Sequence, residues 1–195
     1  MPRVEHLPSD LPTQSAPSRR QLLSSLLAGG AFAVAAPMIA GRASAAEGAT
    51  TTTAPPSRDR NDISIINAAL LRESQLVATY KIAVGALTDK DDIAGITLIH
   101  DHHLAYVQAL AGFLGTDAGK PSTTPLASPT GSFSAIATQL AALENATIDI
   151  HVNSLARIAG LDASKLIASI ITVEARHAAA LAVVSGIAPQ TAAGV

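Results

Sequence analysis

A glutamate and a histidine stand three residues apart in the middle of an apolar run, Ser169 to Leu181, as Glu174 and His177. If the run is a helix, that spacing puts them on one face, a turn apart. The rest of that face is Ile167, Ile170, Leu181 and Val184, so it reads as the buried one. Burying an ionisable pair is costly unless each member finds a partner. A fold for this chain must therefore bring partners to Glu174 and His177 from elsewhere in the sequence.

The remaining helical patterns show where those partners come from. A helix is predicted from Asn61 or Asp62 to about Leu87, with the seam Ile66, Leu70, Glu73, Val77, Tyr80, Val84 and Leu87. A short acidic turn, Thr88 to Asp92, leads into a second, with the seam Ile93, Ile96, His100, His103, Val107, Leu110 and Leu114. Ser132 caps a third, with the seam Phe133, Ala137, Leu140, Glu144, Thr147, His151, Leu155 and Ile158, ended by Gly160. Asp162 caps the fourth, which carries Glu174 and His177 and stops at Gly186. Each helix has roughly 25 residues and a length of about 37 Å. The apolar content is Ala, Leu, Ile and Val, with 3 Phe, 2 Tyr and no Trp, which suits close-packed helices.

The connections decide the topology. Helices one and two are joined tightly, as are three and four, so each pair is an antiparallel hairpin. Between the hairpins lie 16 residues rich in Gly, Pro, Ser and Thr, Thr116 to Gly131. Extended, that link reaches about 53 Å, enough to travel the length of a bundle. The fold class is all-α: a four-helix bundle of two antiparallel hairpins joined by a long crossover loop, the connectivity of ferritin-like folds.

All four seams are apolar at both ends and polar at mid-length: Glu73 and Tyr80, His100 and His103, Glu144 and His151, Glu174 and His177. The hairpins match, because Tyr80 follows Glu73 by seven residues and His151 follows Glu144 by seven. The four sets are expected to meet at one level. Buried carboxylates in one layer repel, and a divalent cation would offset both repulsion and desolvation. Carboxylate and imidazole without thiolate suit iron, manganese or zinc, and the chain has no cysteine. The alternative is a metal-free network in which glutamates accept from protonated histidines and Tyr80 closes the chain. In these seams His102 falls on the solvent side, and Arg72 and Arg176 are read as solvated or in surface pairs.

The stretches Ala168 to Leu181, Leu143 to His151 and Asn67 to Tyr80 resemble the bacterial exported ferritin-like domain family, related to ferritins and desiccation-related proteins. The resemblance covers about residues 61–186. It implies that Glu73 and Glu144 are terminal carboxylate ligands, His103 and His177 imidazole ligands, and Glu174 a bridging carboxylate. The spacing of Glu73 and Tyr80 is similar to the ligand–tyrosine spacing of ferroxidase centres. In the second helix the family pattern expects Glu-x-x-His, and His100 stands where the second bridging glutamate would be. An imidazole does not bridge two metals as a carboxylate does, and Asp101 is rotated about 100° from the seam. His100 is therefore the less certain ligand, with Tyr80 and His151 expected to act on the ligands rather than on the metal. The cofactor implied is iron, di-iron or mononuclear, with manganese, zinc or no metal as the alternatives.

The N-terminal segment reads as an address. Arg19-Arg20 precedes an apolar run from Leu26 to Ala40, followed by an Ala43-Ser44-Ala45 cleavage pattern. This is the layout of an export signal of the twin-arginine type. Residues 1–45 are assigned to the signal, 46–60 to a Thr/Pro-rich linker, 61–186 to the bundle and 187–195 to a disordered tail. The expected location is the periplasm, cell envelope or exterior, with no membrane span after cleavage. A net charge of −2 and no basic block argue against nucleic acid as a partner. Without a fifth helix a ferritin storage cage is not expected, whereas a dimer is compatible. Two function classes follow: a metal-binding protein that oxidises Fe²⁺, or a metal-free structural or stress protein of the envelope. A manganese catalase-like enzyme ranks behind both.

Overall fold

The computed structural model describes residues 59–186. The signal, the cleavage site, the tail and all but the last two residues of the linker lie outside the described residues. Four helices make up the bundle: α1 (Arg60–Gly85), α2 (Lys90–Leu114), α3 (Phe133–Leu155) and α4 (Leu161–Ser185). A single 3₁₀ turn, Gly115–Asp117, follows α2.

Each start and stop has a local cause. Asp59, assigned to the linker from sequence, caps α1 by accepting from the backbone N–H groups of Asn61 and Asp62. Asp89 does the same for α2, and the Ser132 hydroxyl accepts from Ala135 N–H at the start of α3. Helix α2 ends at Gly115 and α4 at Gly186, both with positive φ, the region in which a Cβ is strained. The turn between α3 and α4 differs from the sequence expectation. Helix α3 ends at Leu155, and Gly160, with no side-chain cap, starts α4 in place of Asp162. The buried Asp62 of α1 organises this turn, accepting from Ala159 N–H at 2.9 Å and from Gly160 N–H at 2.7 Å. A Cβ on Gly160 would stand 2.7 Å from that carboxylate, so a larger residue there would push Asp62 off its bonds.

The crossover runs along α1. Asn67 donates to Asp117 C=O and accepts from Gly119 N–H; Ser74 Oγ accepts from Ser122 N–H; Thr79 Oγ1 accepts from Leu126 N–H. The order 67, 74, 79 against 119, 122, 126 carries the chain from the start of α1 towards its end. There α3 begins, so α3 runs antiparallel to α1. Dense packing within α1/α2 and within α3/α4 completes the two hairpins.

The apolar core is split in two. One cluster holds Leu76, Ile96, Ile99, Ile136, Leu140 and Leu181, and the other Ile66, Leu70, Leu110, Leu114, Ile167 and Ile170. Between them lies the polar layer. Among the described residues only α4 is long and apolar enough to cross a membrane by length and composition, and half of that span is buried inside the bundle. Its buried Glu174 and His177 sit mid-helix, as suits a core helix.

Replacing Asp62 by alanine removes the acceptor of two part-buried N–H groups. Charge-assisted bonds of this kind are worth about 1.5–3 kcal/mol each. Asp62→Ala is expected to lower unfolding free energy in urea by about 2 kcal/mol or more while leaving the helical circular dichroism of the folded state unchanged.

Candidate metal centre

Glu73, Tyr80, His102, His103, Glu144, His151, Glu174 and His177 are all buried in one layer. The two apolar core clusters flank the layer on either side and seal it from solvent.

Helix α2 is rotated relative to the sequence expectation. Its buried face is Ile96, Ile99, His102, His103, Tyr106, Leu110 and Leu114, whereas Ile93, His100 and Val107 are only partly buried. Both stripes share Ile96, His103, Leu110 and Leu114; Ile99 and Tyr106 replace His100 and Val107, each one residue or about 100° away, and His102 joins beside His103. Two assignments are thereby corrected. His100 turns away from the layer, with its Nδ1 at 2.9 Å from Asp101 Oδ1 and its side chain 22% exposed. His102, read as solvated, is 3% exposed and forms an N···N hydrogen bond of 2.9 Å with His177 Nε2. The two rings stack with centroids 5.1 Å apart. Sequence reasoning missed His102; the signal was Ile99 and Tyr106, which as a stripe are more apolar than His100 and Val107.

A chain of hydrogen bonds crosses the layer. Tyr80 Oη donates to Glu144 Oε1. His103 donates from Nε2 to Glu144 Oε1 at 3.0 Å and from Nδ1 to Glu73 Oε2 at 2.8 Å. His151 Nε2 donates to Glu73 Oε1 at 3.0 Å. In each hairpin, the residue seven after the glutamate thus bonds the glutamate of the other hairpin. Arg72, half-buried rather than solvated, donates from Nε to Thr147 Oγ1 at 2.9 Å and ties α1 to α3.

This chain fixes the charges. Burial pushes the His103 ring down, but Glu144 and Glu73 outweigh it and hold the imidazolium up at about 10. Burial would raise Glu73, yet the bonds from His103 and His151 hold it at about 2. Glu144 is likewise held low, with His103 and His177 overcoming burial. Glu174 has no such donor. Burial, then the charges of Glu73 and Glu144, push its carboxyl up to about 12, so it keeps a proton at neutral pH. Burial lowers His177, and burial with the neighbouring His177 and His103 lowers His102 to about 4, so both rings are neutral.

Part of the layer is left unpaired by the protein. Glu144 Oε2, both oxygens of Glu174, and His177 Nδ1 are buried without a hydrogen-bond partner among the described residues. His177 Nδ1 stands 3.6 Å from Glu144 Oε2, and His151 Nε2 stands 3.7 Å from Glu174 Oε1. These gaps are too long for hydrogen bonds. They match two donors that share an ion, since ligands about 2.1 Å from one metal lie roughly 3.0–4.2 Å apart. Two donor sets gather around these gaps: His103, Glu144 and His177, and Glu73, His151 and Glu174, the ligand atoms of each lying within 4.8 Å of one another, a separation that small side-chain movements close onto an ion. The residues present therefore fit a transition metal held by oxygen and nitrogen.

The family model of the ferritin-like domain matches residues 61–186. The chain belongs to the ferritin-like domain family. The match spans all four helices and every residue of the polar layer, so the layer lies inside the family's own domain. Among curated proteins none matches the chain.

The protonated Glu174 gives the metal-free ferritin-like domain a pH dependence of definite sign. Its carboxyl is raised from 4.5 in the unfolded chain to about 12 in the folded one. The stability it contributes is complete below the unfolded value and is lost as pH rises towards the folded one. Metal-free Glu174→Gln, which cannot ionise, should therefore be more stable than the wild type at about pH 8. The gap should shrink by up to about 1.4 kcal/mol per pH unit as pH falls towards about 5. Urea unfolding of chelator-treated protein at both pH values reads it directly.

Proposed function

We propose that this protein binds iron, or another transition metal, in the mid-bundle layer and oxidises Fe²⁺ there. The observation that carries the reading is the set of buried, unpartnered donor atoms on Glu144, Glu174 and His177, with His177 facing Glu144 and His151 facing Glu174 across gaps of metal-ligand size. Nothing in an apolar core compensates a lone carboxyl and a lone imidazole nitrogen, whereas a divalent cation satisfies both. The donors are oxygen and nitrogen, the chemistry that iron, manganese and zinc accept.

In this reading Fe²⁺ is the substrate, held by carboxylates and imidazoles in a water-poor layer. Each Fe²⁺ gives up one electron, and two together reduce one peroxide, with two protons, to two waters. Tyr80 keeps its proton, because burial and the Glu144 charge both hold its hydroxyl well above the usual range. Its task is then to orient Glu144 by donating to Oε1, leaving Oε2 turned towards His177. His102 performs the parallel task on His177: by bonding Nε2 it turns Nδ1 towards Glu144.

The same proposal places the protein outside the cytoplasm. Arg19 and Arg20, the apolar run after them and the Ala43-Ser44-Ala45 pattern support export by a route that carries folded proteins. A second reading is a metal-free structural or stress protein of the envelope. It is favoured by the hydrogen-bonded chain from Tyr80 to His151, which is complete without an ion.

The two readings part on mass action. A ligand that binds only the folded state raises stability by about 2.7 kcal/mol at a hundredfold excess over its dissociation constant. Anaerobic Fe²⁺ should raise the Tm of the wild type by several degrees and leave the double variant Glu144→Ala/Glu174→Ala unmoved, and admitting oxygen or peroxide should oxidise the bound Fe²⁺. No shift in the wild type, with no oxidation above the buffer rate, would establish the metal-free reading.

A further inference from the structure

The sequence pattern makes His151 the counterpart of Tyr80, and the geometry gives it a different task. Each follows its helix's glutamate by seven residues, and each bonds the glutamate of the opposite hairpin. Tyr80 can only donate at that position. His151 brings a nitrogen, and that nitrogen faces two carboxylates at once: Glu73 Oε1 at 3.0 Å and Glu174 Oε1 at 3.7 Å. All three side chains are buried.

We propose that the layer holds two unlike metal sites, and that His151 is a ligand of the second: His103, Glu144 and His177 form one, and Glu73, His151 and Glu174 the other. This rests on the metal-binding reading above. The first set draws one residue from each of α2, α3 and α4, the second one from each of α1, α3 and α4. Their placement along the helices agrees. From Glu144 to His151 the chain moves towards the end of α3, and from His177 to Glu174 it moves towards the start of α4. These helices are antiparallel, so both steps lead towards the α3–α4 turn. The second site therefore lies on that side of the first.

The two sites share one bond. As a ligand His103 gives up the Nε2 proton it otherwise donates to Glu144 and keeps its Nδ1–H on Glu73, so a ligand of one site orients a ligand of the other. The donor sets are chemically distinct. Two imidazoles and one carboxylate, with open positions, suit Fe²⁺. Two carboxylates and one imidazole make a harder, more anionic site that suits Mn²⁺ or Fe²⁺. His151 thus supplies from α3 what α2 does not, since His100 turns away to Asp101. A bridging carboxylate from α2 is unnecessary when each site has a complete set of three.

Co²⁺ serves as the probe, because its visible absorption reports the ligand set. Equilibrium dialysis of the full bundle should give two Co²⁺ per chain for the wild type. His151→Gln should give one, with the remaining spectrum that of the two-imidazole site, and Glu144→Gln should retain the other. Helical circular dichroism confirms that each variant is folded. Should His151→Gln fail to fold, X-ray absorption of the wild type decides: three imidazoles shared by two ions against two imidazoles on one ion. Two equivalents retained by folded His151→Gln, or a single equivalent in the wild type, would overturn the proposal while leaving metal binding intact. No Co²⁺ or Fe²⁺ bound by the wild type would instead sink the metal-binding reading itself.

Discussion

The rest of the structure depends on one arrangement: the imidazolium of His103 held between Glu73 and Glu144 in a layer sealed from water. Three helices meet at that ring. Removing either glutamate would strand a buried charge, a loss larger than any single apolar contact in the bundle. The bond between charges is therefore a registry device as well as an electrostatic one. It fixes the rotation of α2 against α1 and α3, and the two apolar clusters then pack on either side of it. The same ring leaves Glu174 as the odd carboxyl, too close to two charged neighbours to ionise and without a donor of its own.

The two hairpins use one design with two endings. Glu73 and Glu144 occupy equivalent turns, and each receives a hydrogen bond from seven residues along the opposite hairpin's first helix. Tyr80 ends the series on one side and His151 on the other, so the layer is symmetric in its hydrogen bonds and asymmetric in its nitrogen content. The crossover that joins the hairpins is itself ordered by α1, through Asn67, Ser74 and Thr79. Ser74 and Thr79 each donate back to their own helix and accept from the loop, so a polar residue on this buried side of α1 is satisfied twice.

Much of this was legible in the sequence. The four helices, the tight turns within pairs, the long crossover and the mid-length polar positions on α1, α3 and α4 follow from apolar spacing, caps and glycines, because those helices have one unambiguous stripe each. Helix α2 does not. Four of its core residues belong equally to two stripes, and only contacts made in the fold, the His103 bonds and the packing against α1 and α4, select Ile99, His102 and Tyr106 over Ile93, His100 and Val107. Hence His103 was found while His102 and His100 were interchanged. The start of α4 was also misplaced, because the group that organises it, Asp62, lies almost a hundred residues away in sequence and meets Gly160 only in the fold. Pairing across the layer, His103 with both glutamates and His151 with Glu73, depends on side-chain reach that spacing alone does not carry.

The most direct measurement is an anomalous difference map from crystals of the bundle loaded with Fe²⁺ without oxygen and recorded at the iron edge. Density inside the layer, within coordination distance of Glu144 and His177 or of Glu174 and His151, is the result this account predicts. Well-ordered side chains with iron only on the surface, or none at all, would contradict it and leave a metal-free hydrogen-bonded layer as the explanation of the buried charges.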